Sequence, residues 1–194
     1  MVDAWQETAL VTIRVYNGDA YNFGTLTESI DIDLGDKDIE GLPLINGGRL
    51  VKFNPEADTT ITLDLYPVEA GNVSAGDANG IFDLFAGITS STQPISINNS
   101  RTRTNLRLAI MWTDNTTLTS AEDATSDGDK AMRLVFTNAY CTSAKPSFTD
   151  GILKVTATFK CAPYKKDGTP NITFESTDGT AAAVLSDLSG TATW

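Results

Sequence analysis

The sequence predicts an all-β fold: an antiparallel two-sheet β-sandwich or partly closed barrel carrying one short α-helix. Three observations lead there. Seven or eight short runs rich in β-branched and aromatic residues recur at regular intervals, separated by glycine, proline, asparagine and aspartate. Two of these runs alternate apolar and polar residues with a period of two, the pattern of a half-buried strand. A single stretch has helical spacing.

In chain order, residues 10–16 (LVTIRVY) form the first strand, with Thr12, Arg14 and Tyr16 on one side. Residues 26–34 (LTESIDIDL) put Leu26, Ile30, Ile32 and Leu34 on one face and Thr27, Ser29, Asp31 and Asp33 on the other. One face requires a core and the other requires water. Residues 35–48 (GDKDIEGLPLINGG) read as a long loop, acidic at its start but apolar at Leu42, Leu44 and Ile45, which calls for a contact with something else. Strands follow at 49–53 and 60–66, the second with Ile61, Leu63 and Leu65 opposite Thr60, Thr62, Asp64 and Tyr66. The helix is expected at 77–86, where Ile81, Leu84, Phe85 and Ile88 share a stripe, Ser74 or Asp77 caps the start and Gly87 ends it. Further strands are expected at 105–112, 131–141, 152–161 and, more weakly, 171–175. Residues 113–130 are polar with five acids and should protrude as a mobile hairpin tip. The stretch 177–194 reads as a C-terminal arm ending in Trp194. No repeat, linker or second boundary interrupts 1–194, so one domain is expected.

Composition excludes whole classes of function. The net charge of −11 argues against a surface that grips nucleic acid or anionic lipid. The absence of histidine removes Ser-His-Asp triads, Cys-His dyads, HExxH zinc helices, kinase loops and zinc deaminases, all of which need imidazole. Carboxylate, lysine or tyrosine chemistry survives that filter. Cys141 and Cys161 cannot alone form a zinc site; buried thiols are expected, with a cross-strand disulfide as the alternative. No apolar run reaches membrane-spanning length and residues 1–16 lack a secretory pattern, so synthesis in a cytosol is expected.

The motifs that could carry chemistry are weak. Asp31, Asp33, Asp36 and Asp38 crowd together, but an EF-hand needs D-x-D-x-D-G, a glutamate at position twelve and flanking helices; here strand surrounds a misplaced Gly35. They read as solvated strand-end acids, and TSDGDK at 125–130 reads the same way. A glycosidase pair would need a cleft with aromatic platforms, and most aromatics fall at core parity. Sequons at Asn72, Asn98, Asn115 and Asn171 are about as many as chance supplies in so Ser/Thr-rich a chain. The basic stretch 164–168 (YKKDG) reads as a solvated turn. No catalytic residue, metal site or cofactor is expected.

Two segments carry a family resemblance. Residues 99–114 (NSRTRTNLRLAIMWTD) form an arginine-flanked strand ending in W-T-D, and 139–174 (AYCTSAKPSFTDGILKVTATFKCAPYKKDGTPNITF) join a KPSFTDG turn, an alternating strand, F-K-C-A-P and K-D-G-x-x-N-I. These, with GLPLINGGRL and ITLDLYPV in the same order, resemble the major tail tube proteins of long-tailed (siphovirus-type) viruses, especially those of archaeal tailed viruses and some bacteriophages. The resemblance implies a tail-tube-like β fold, hexameric rings, and a stack of rings forming the hollow tube through which genome DNA leaves the particle. It also implies a virion-tail location after synthesis in the host cytoplasm. The implied partners are the chain itself, tail terminator, tape measure or baseplate proteins, and double-stranded DNA passing without specific binding. Six subunits giving four strands each would make a barrel about 48 Å across its backbone, leaving a channel of about 40 Å for a duplex of about 20 Å.

On this implication Ser29, Asp31, Asp33, Thr62 and Asp64 are the candidate lumen residues, their carboxylates repelling phosphates. Leu42, Leu44, Ile45 and Trp194 are the candidate inter-subunit contacts. Parity alone also allows the polar faces to be ordinary outer surface. The rival functions are a virion decoration or receptor-binding β-domain, a secreted lectin-like or surface-layer domain, which would need an export signal, and a histidine-free hydrolase.

Overall fold

A computed structural model describes residues 8–18, 20–23, 27–45, 47–53, 55–66, 105–179 and 184–194. Within them run ten strands: β1 (Thr8–Val15), β2 (Ala20–Asn22), β3 (Thr27–Asp33), β4 (Ile39–Pro43), β5 (Arg49–Phe53), β6 (Thr59–Leu65), β7 (Leu106–Thr113), β8 (Lys130–Thr149), β9 (Ile152–Cys161) and β10 (Ile172–Asp178). The fold is all-β and every strand pairing is antiparallel. The main sheet runs β2-β1-β7-β8-β9-β6-β3, with β10 also on β8, and its end strands do not meet, so the barrel stays open. The helix expected at 77–86 lies outside the described residues, as do the sequons at Asn72 and Asn98 and the start of the arginine-flanked motif.

The 20-residue β8 divides this sheet into two layers. From Lys130 to Phe136 it pairs with β7 and β10; from Ala139 to Thr149 it pairs with β9. Between the halves Asn138 has φ 56°, and register shifts fall between Leu106 and Leu108 and between Cys141 and Ser143. A positive φ flanked by bulges is how one strand turns a corner from sheet to sheet. An asparagine ladder secures the corner: Asn105 Nδ2 donates to Asn138 Oδ1 at 2.6 Å, Asn138 Nδ2 to Asn171 Oδ1 at 2.7 Å, and Asn171 Nδ2 to the Ala162 carbonyl at 2.9 Å.

The layer β2-β1-β7-β8-β10 faces the layer β8-β9-β6-β3 across the main core. Val11 and Ile13 of β1, Leu106, Leu108 and Ile110 of β7, Ile61, Leu63 and Leu65 of β6, and Val155, Ala157 and Phe159 of β9 meet there. Each large aliphatic side chain removed from water contributes about 1.5–3 kcal/mol. The alternation read from residues 26–34 and 60–66 thus has its apolar side inward, with Ile30 and Ile32 packed against the core.

The first layer is buried on its outer face as well, which corrects the expectation of a protruding tip at 113–130. That segment folds back over β1, β7 and β8. Ala121 packs with Leu10, Ala109, Met111, Ala131, Val135 and Leu185 in a second core, and Leu118 and Leu188 lean on it. Ala121 N donates to Thr12 Oγ1 at 2.9 Å, and Leu185 N to Thr125 Oγ1 at 2.8 Å, so the C-terminal arm lies on the same face. Polarity misled because the acids have specific partners. Fully buried Glu122 accepts from Arg14 Nη2 at 2.6 Å and from Arg107 Nη2 at 2.8 Å. Fully buried Arg133 pairs with Glu175 and donates to the carbonyls of Asp123 at 3.1 Å and Ser186 at 2.8 Å.

Two further corrections concern elements read as loop. The stretch 35–48 contains β4, which pairs with β5 in a separate two-stranded ribbon from Ile39↔Phe53 to Pro43↔Arg49. KPSFTDG is mostly strand: β8 continues through Pro146 to Thr149, and only Asp150 (φ 55°) and Gly151 (φ 78°) turn. Those paired positive φ values fit the two-residue hairpin turn for which Asp-Gly is a strong signal. Proline is tolerated in a strand where its missing N–H would face an open edge.

Candidate functional site

The four-stranded layer β3-β6-β9-β8 carries the polar face anticipated from sequence. Its registers place Ser29, Asp64, Thr156 and Lys145 in one cross-strand row, Asp31, Thr62, Thr158 and Ser143 in the next, and Asp33, Thr60, Lys160 and Tyr140 in a third. All five candidate lumen residues, Ser29, Asp31, Asp33, Thr62 and Asp64, therefore share one face, opposite the core. The face belongs to the sheet, not to a loop, so its groups are fixed by backbone pairing.

Asp64 is the best-held acid on it. Ser29 Oγ donates to Asp64 Oδ2 at 2.7 Å and Thr156 Oγ1 to Asp64 Oδ1 at 2.6 Å. These bonds, Thr156's first and Ser29's second, hold its carboxyl below the usual aspartate value, with Lys154 adding to the effect. The lowered value fixes the sign of its linkage: its stabilising contribution is present above the unfolded aspartate range and is lost as pH falls through the folded value.

Sequence reading missed the lysines of this face. Lys145, Lys154 and Lys160 stand on the β8 and β9 side, while Glu28, Asp31, Asp33 and Asp64 stand on the β3 and β6 side. Lys154 Nζ is 2.6 Å from Glu28 and sits over the Tyr66 ring at 5.4 Å; the Glu28 hydrogen bond raises its pKa. The signal was available, since Lys154 and Lys160 fall at polar parity in β9. The face is thus an acidic stripe beside a basic one, not the uniformly negative surface that net charge suggests.

Among the described residues both long borders of this layer are open: β3 pairs only with β6, and β8 beyond Ala139 pairs only with β9. Pro146 removes one donor from the β8 border.

The ribbon is strongly apolar where it is exposed. Leu42, Leu44 and Ile45 are all exposed, together with Ile39, Leu50 and Val51, so the expected unsatisfied surface is present. Trp194, expected at a subunit contact, is engaged within its own chain: its ring meets Tyr16 edge-on at 5.2 Å and lies 5.2 Å from the Arg107 guanidinium.

No three His, Cys, Asp or Glu side chains are grouped to hold a metal among the described residues. In the acidic run, Asp33 Oδ1 accepts from Gly35 N at 3.0 Å and Asp38 Oδ1 from Ile39 N at 2.8 Å, as strand-end acids do. No disulfide joins Cys141 to Cys161; Cys141 stands opposite Phe159 and Cys161 opposite Ala139. Burial pushes the Cys161 thiol up to about 12, with Asp58 adding to the effect.

No protein-family model matches the sequence, and neither does any curated protein. Among solved structures, the chain is similar to one in the six-fold symmetrised cryo-EM structure of the anti-feeding prophage (AFP) baseplate, at 10% identity over 90% of this chain and 96% of that one, with TM-score 0.51. A chain of the sheath-tube complex of an extracellular contractile injection system, PVC, in its extended state aligns at 17% identity over 86% of this chain and 88% of that one, with TM-score 0.48. At such identities the likeness to the AFP chain is one of fold alone.

Proposed function

We propose that this protein is a structural tail-tube subunit of a virion, assembling as hexameric rings that stack into a hollow conduit for genome DNA. The observation that carries the reading is the layer β3-β6-β9-β8, which is open at both borders. Because it has four strands in antiparallel succession, its two border strands run in opposite directions. The β3 border of one copy can therefore continue the ladder of the next copy's β8 border as another antiparallel pair. Such a contact is head-to-tail and closes into a ring when the rotation permits. Closure also removes two edges that would otherwise invite indiscriminate pairing. The stripes favour the same joint, since acids flank one border and lysines the other. Pro146 confines the shared ladder to the part of β8 before it. The fold likeness to a baseplate component of a phage-tail-like particle is consistent with this role.

In this arrangement the polar face, with Ser29, Asp31, Asp33, Thr62 and Asp64, lines the channel. The ribbon residues Leu42, Leu44 and Ile45 contact a neighbouring subunit, and tail terminator, tape measure and baseplate proteins are the remaining partners.

Electron micrographs and sedimentation of the concentrated protein test the reading. Rings and tubes are expected, with assembly weakened by salt as the acid and lysine borders are screened. A protein that stays monomeric or trimeric at every concentration, even with tail-initiation partners, would instead be a decoration or receptor-binding domain. A second expectation concerns the ribbon. Leu44→Ser with Ile45→Ser should leave a folded chain whose tube yield falls about tenfold or more, because two exposed apolar anchors are removed from the contact. Normal tube yield would mean that the ribbon has no neighbour.

A further inference from the structure

Arg107 of β7 and Arg133 of β8, both buried, each hold two separate stretches of chain at once. Arg107 Nη2 donates to Glu122 Oε1 at 2.8 Å and to the Leu188 carbonyl at 2.8 Å. Arg133 Nη1 donates to the Asp123 carbonyl at 3.1 Å, and its Nη2 donates to the Ser186 carbonyl at 2.8 Å. One stretch is the cover, 114–129; the other is the described part of the arm, 184–194. Neither joins a strand ladder. They are bonded to each other instead: Thr125 N donates to the Leu185 carbonyl at 3.3 Å, Leu185 N returns to Thr125 Oγ1 at 2.8 Å, and Leu188 N donates to the Glu122 carbonyl at 2.9 Å.

Removing either stretch strips the other. Without the arm, both arginines lose a carbonyl acceptor where water is excluded, and the second core loses Leu185 and the support of Leu188. Without the cover, Arg107 loses its counter-charge and the arm loses the bonds that pin Leu185 and Leu188. Leu185 is the one buried residue of the described arm, and it shares the second core with Ala121 of the cover. A state with one stretch docked and the other loose is therefore costlier than a shared opening. The sandwich beneath depends on neither stretch. Its own core residues on these strands, Val11, Ile13, Leu108, Ile110 and Phe136, lie on the opposite face, and continuous ladders hold β1, β7 and β8 together.

We propose that cover and arm form a two-part lid that opens as one unit from the second core while the sandwich stays folded, with Arg107 and Arg133 as the positioning residues that couple its halves. Few buried contacts and the lack of a ladder put these stretches at the low-stability end of the molecule. Opening uncovers Leu10, Ala109, Met111, Ala131 and Val135 beside Arg14, Arg107 and Arg133, an apolar strip bordered by cations. The closed lid keeps that strip from water and from other chains. The lid belongs to the single chain and stands whether or not copies form tubes.

Native-state hydrogen exchange of the full chain in rising, sub-denaturing urea tests it. The reporters are the amides of Ala121, Thr125, Leu185 and Leu188, each of which donates a bond within the lid or from the lid to β1. They should share one opening free energy and one urea dependence, both smaller than those of the β6 and β9 amides. Equal urea dependence for the lid and for β6 and β9 would mean that the lid opens only with the whole sandwich, which overturns the inference. Coupling is read from Arg107→Lys, which keeps the charge but loses the fork that serves two acceptors. Exchange of all four reporters should quicken together, by about tenfold. Faster exchange at Leu185 and Leu188 with Ala121 at its wild-type rate would show two independent segments and overturn the inference as well. Should Arg107→Lys fail to fold by circular dichroism, Leu185→Ala decides: a change confined to the arm should quicken Ala121 exchange by about tenfold or more, and an unchanged Ala121 rate overturns the coupling.

Discussion

Glu122→Ala is expected to destabilise the fold by about 3–5 kcal/mol, because it leaves the buried Arg107 and the mostly buried Arg14 guanidinium groups without their shared carboxylate. Glu122 is wholly buried, and Arg14 Nε, Arg14 Nη2, Arg107 Nε and Arg107 Nη2 all donate to it. Truncation does not admit water freely, since Ser120 and Ala121, immediately before it, are themselves buried. The loss is a large share of the roughly 5–15 kcal/mol that holds a typical domain together. It should appear in urea titrations as a lower midpoint at unchanged slope. Replacing the whole cluster by apolar residues of similar size, Arg14→Met, Glu122→Leu and Arg107→Met, should recover most of the loss. A change below about 1 kcal/mol for Glu122→Ala would show that the cluster is solvated and that 114–129 is held by its apolar contacts alone.

This cluster also marks where sequence reasoning stopped. In residues 26–34 and 60–66 every second side chain reports its environment, so both strands and the shared polar face were legible. The segment 113–130 has no such period. Its polarity says that its groups need partners, and the partners turned out to be arginines on β1 and β7 instead of water. Arg14, Arg107 and Arg133 sit at regular positions in otherwise apolar strands, and three cations at strand parity are the signal that an acid must come to them. β4 was illegible for the opposite reason: with all five of its residues exposed, neither face imposes a pattern. Its apolar residues still told the truth about an unsatisfied surface. Pro146 hid the length of β8, because proline in a strand is unusual unless the edge is open. The lysines of β9, Lys154 and Lys160, are hidden behind a net charge of −11, which does not say where the cations lie.

On the tube proposed above, Asp31→Lys with Asp33→Lys is expected to make the conduit retain DNA in dilute buffer. Both side chains are exposed on the polar face, and neither holds the bonds that tie Asp64 to Ser29 and Thr156, so the sheet should form as before. The change removes half of the acids from a face that already carries Lys145, Lys154 and Lys160, leaving Glu28 and Asp64 against five lysines. In the proposed ring of six the reversal recurs at every copy. A duplex about 20 Å wide in a channel of about 40 Å runs about 10 Å from the wall, close to one Debye length at 0.1 M salt and a third of one at 0.01 M. The new attraction should therefore be strong at 0.01 M, reduced at 0.1 M and negligible by 1 M, as counterion release requires. Particles carrying the variant should still form tails, eject slowly in low salt and recover the wild-type rate as salt is raised. Wild-type ejection at 0.01 M from intact variant particles would place Asp31 and Asp33 on the outside of the tube, and the channel would then be lined by another face of the chain.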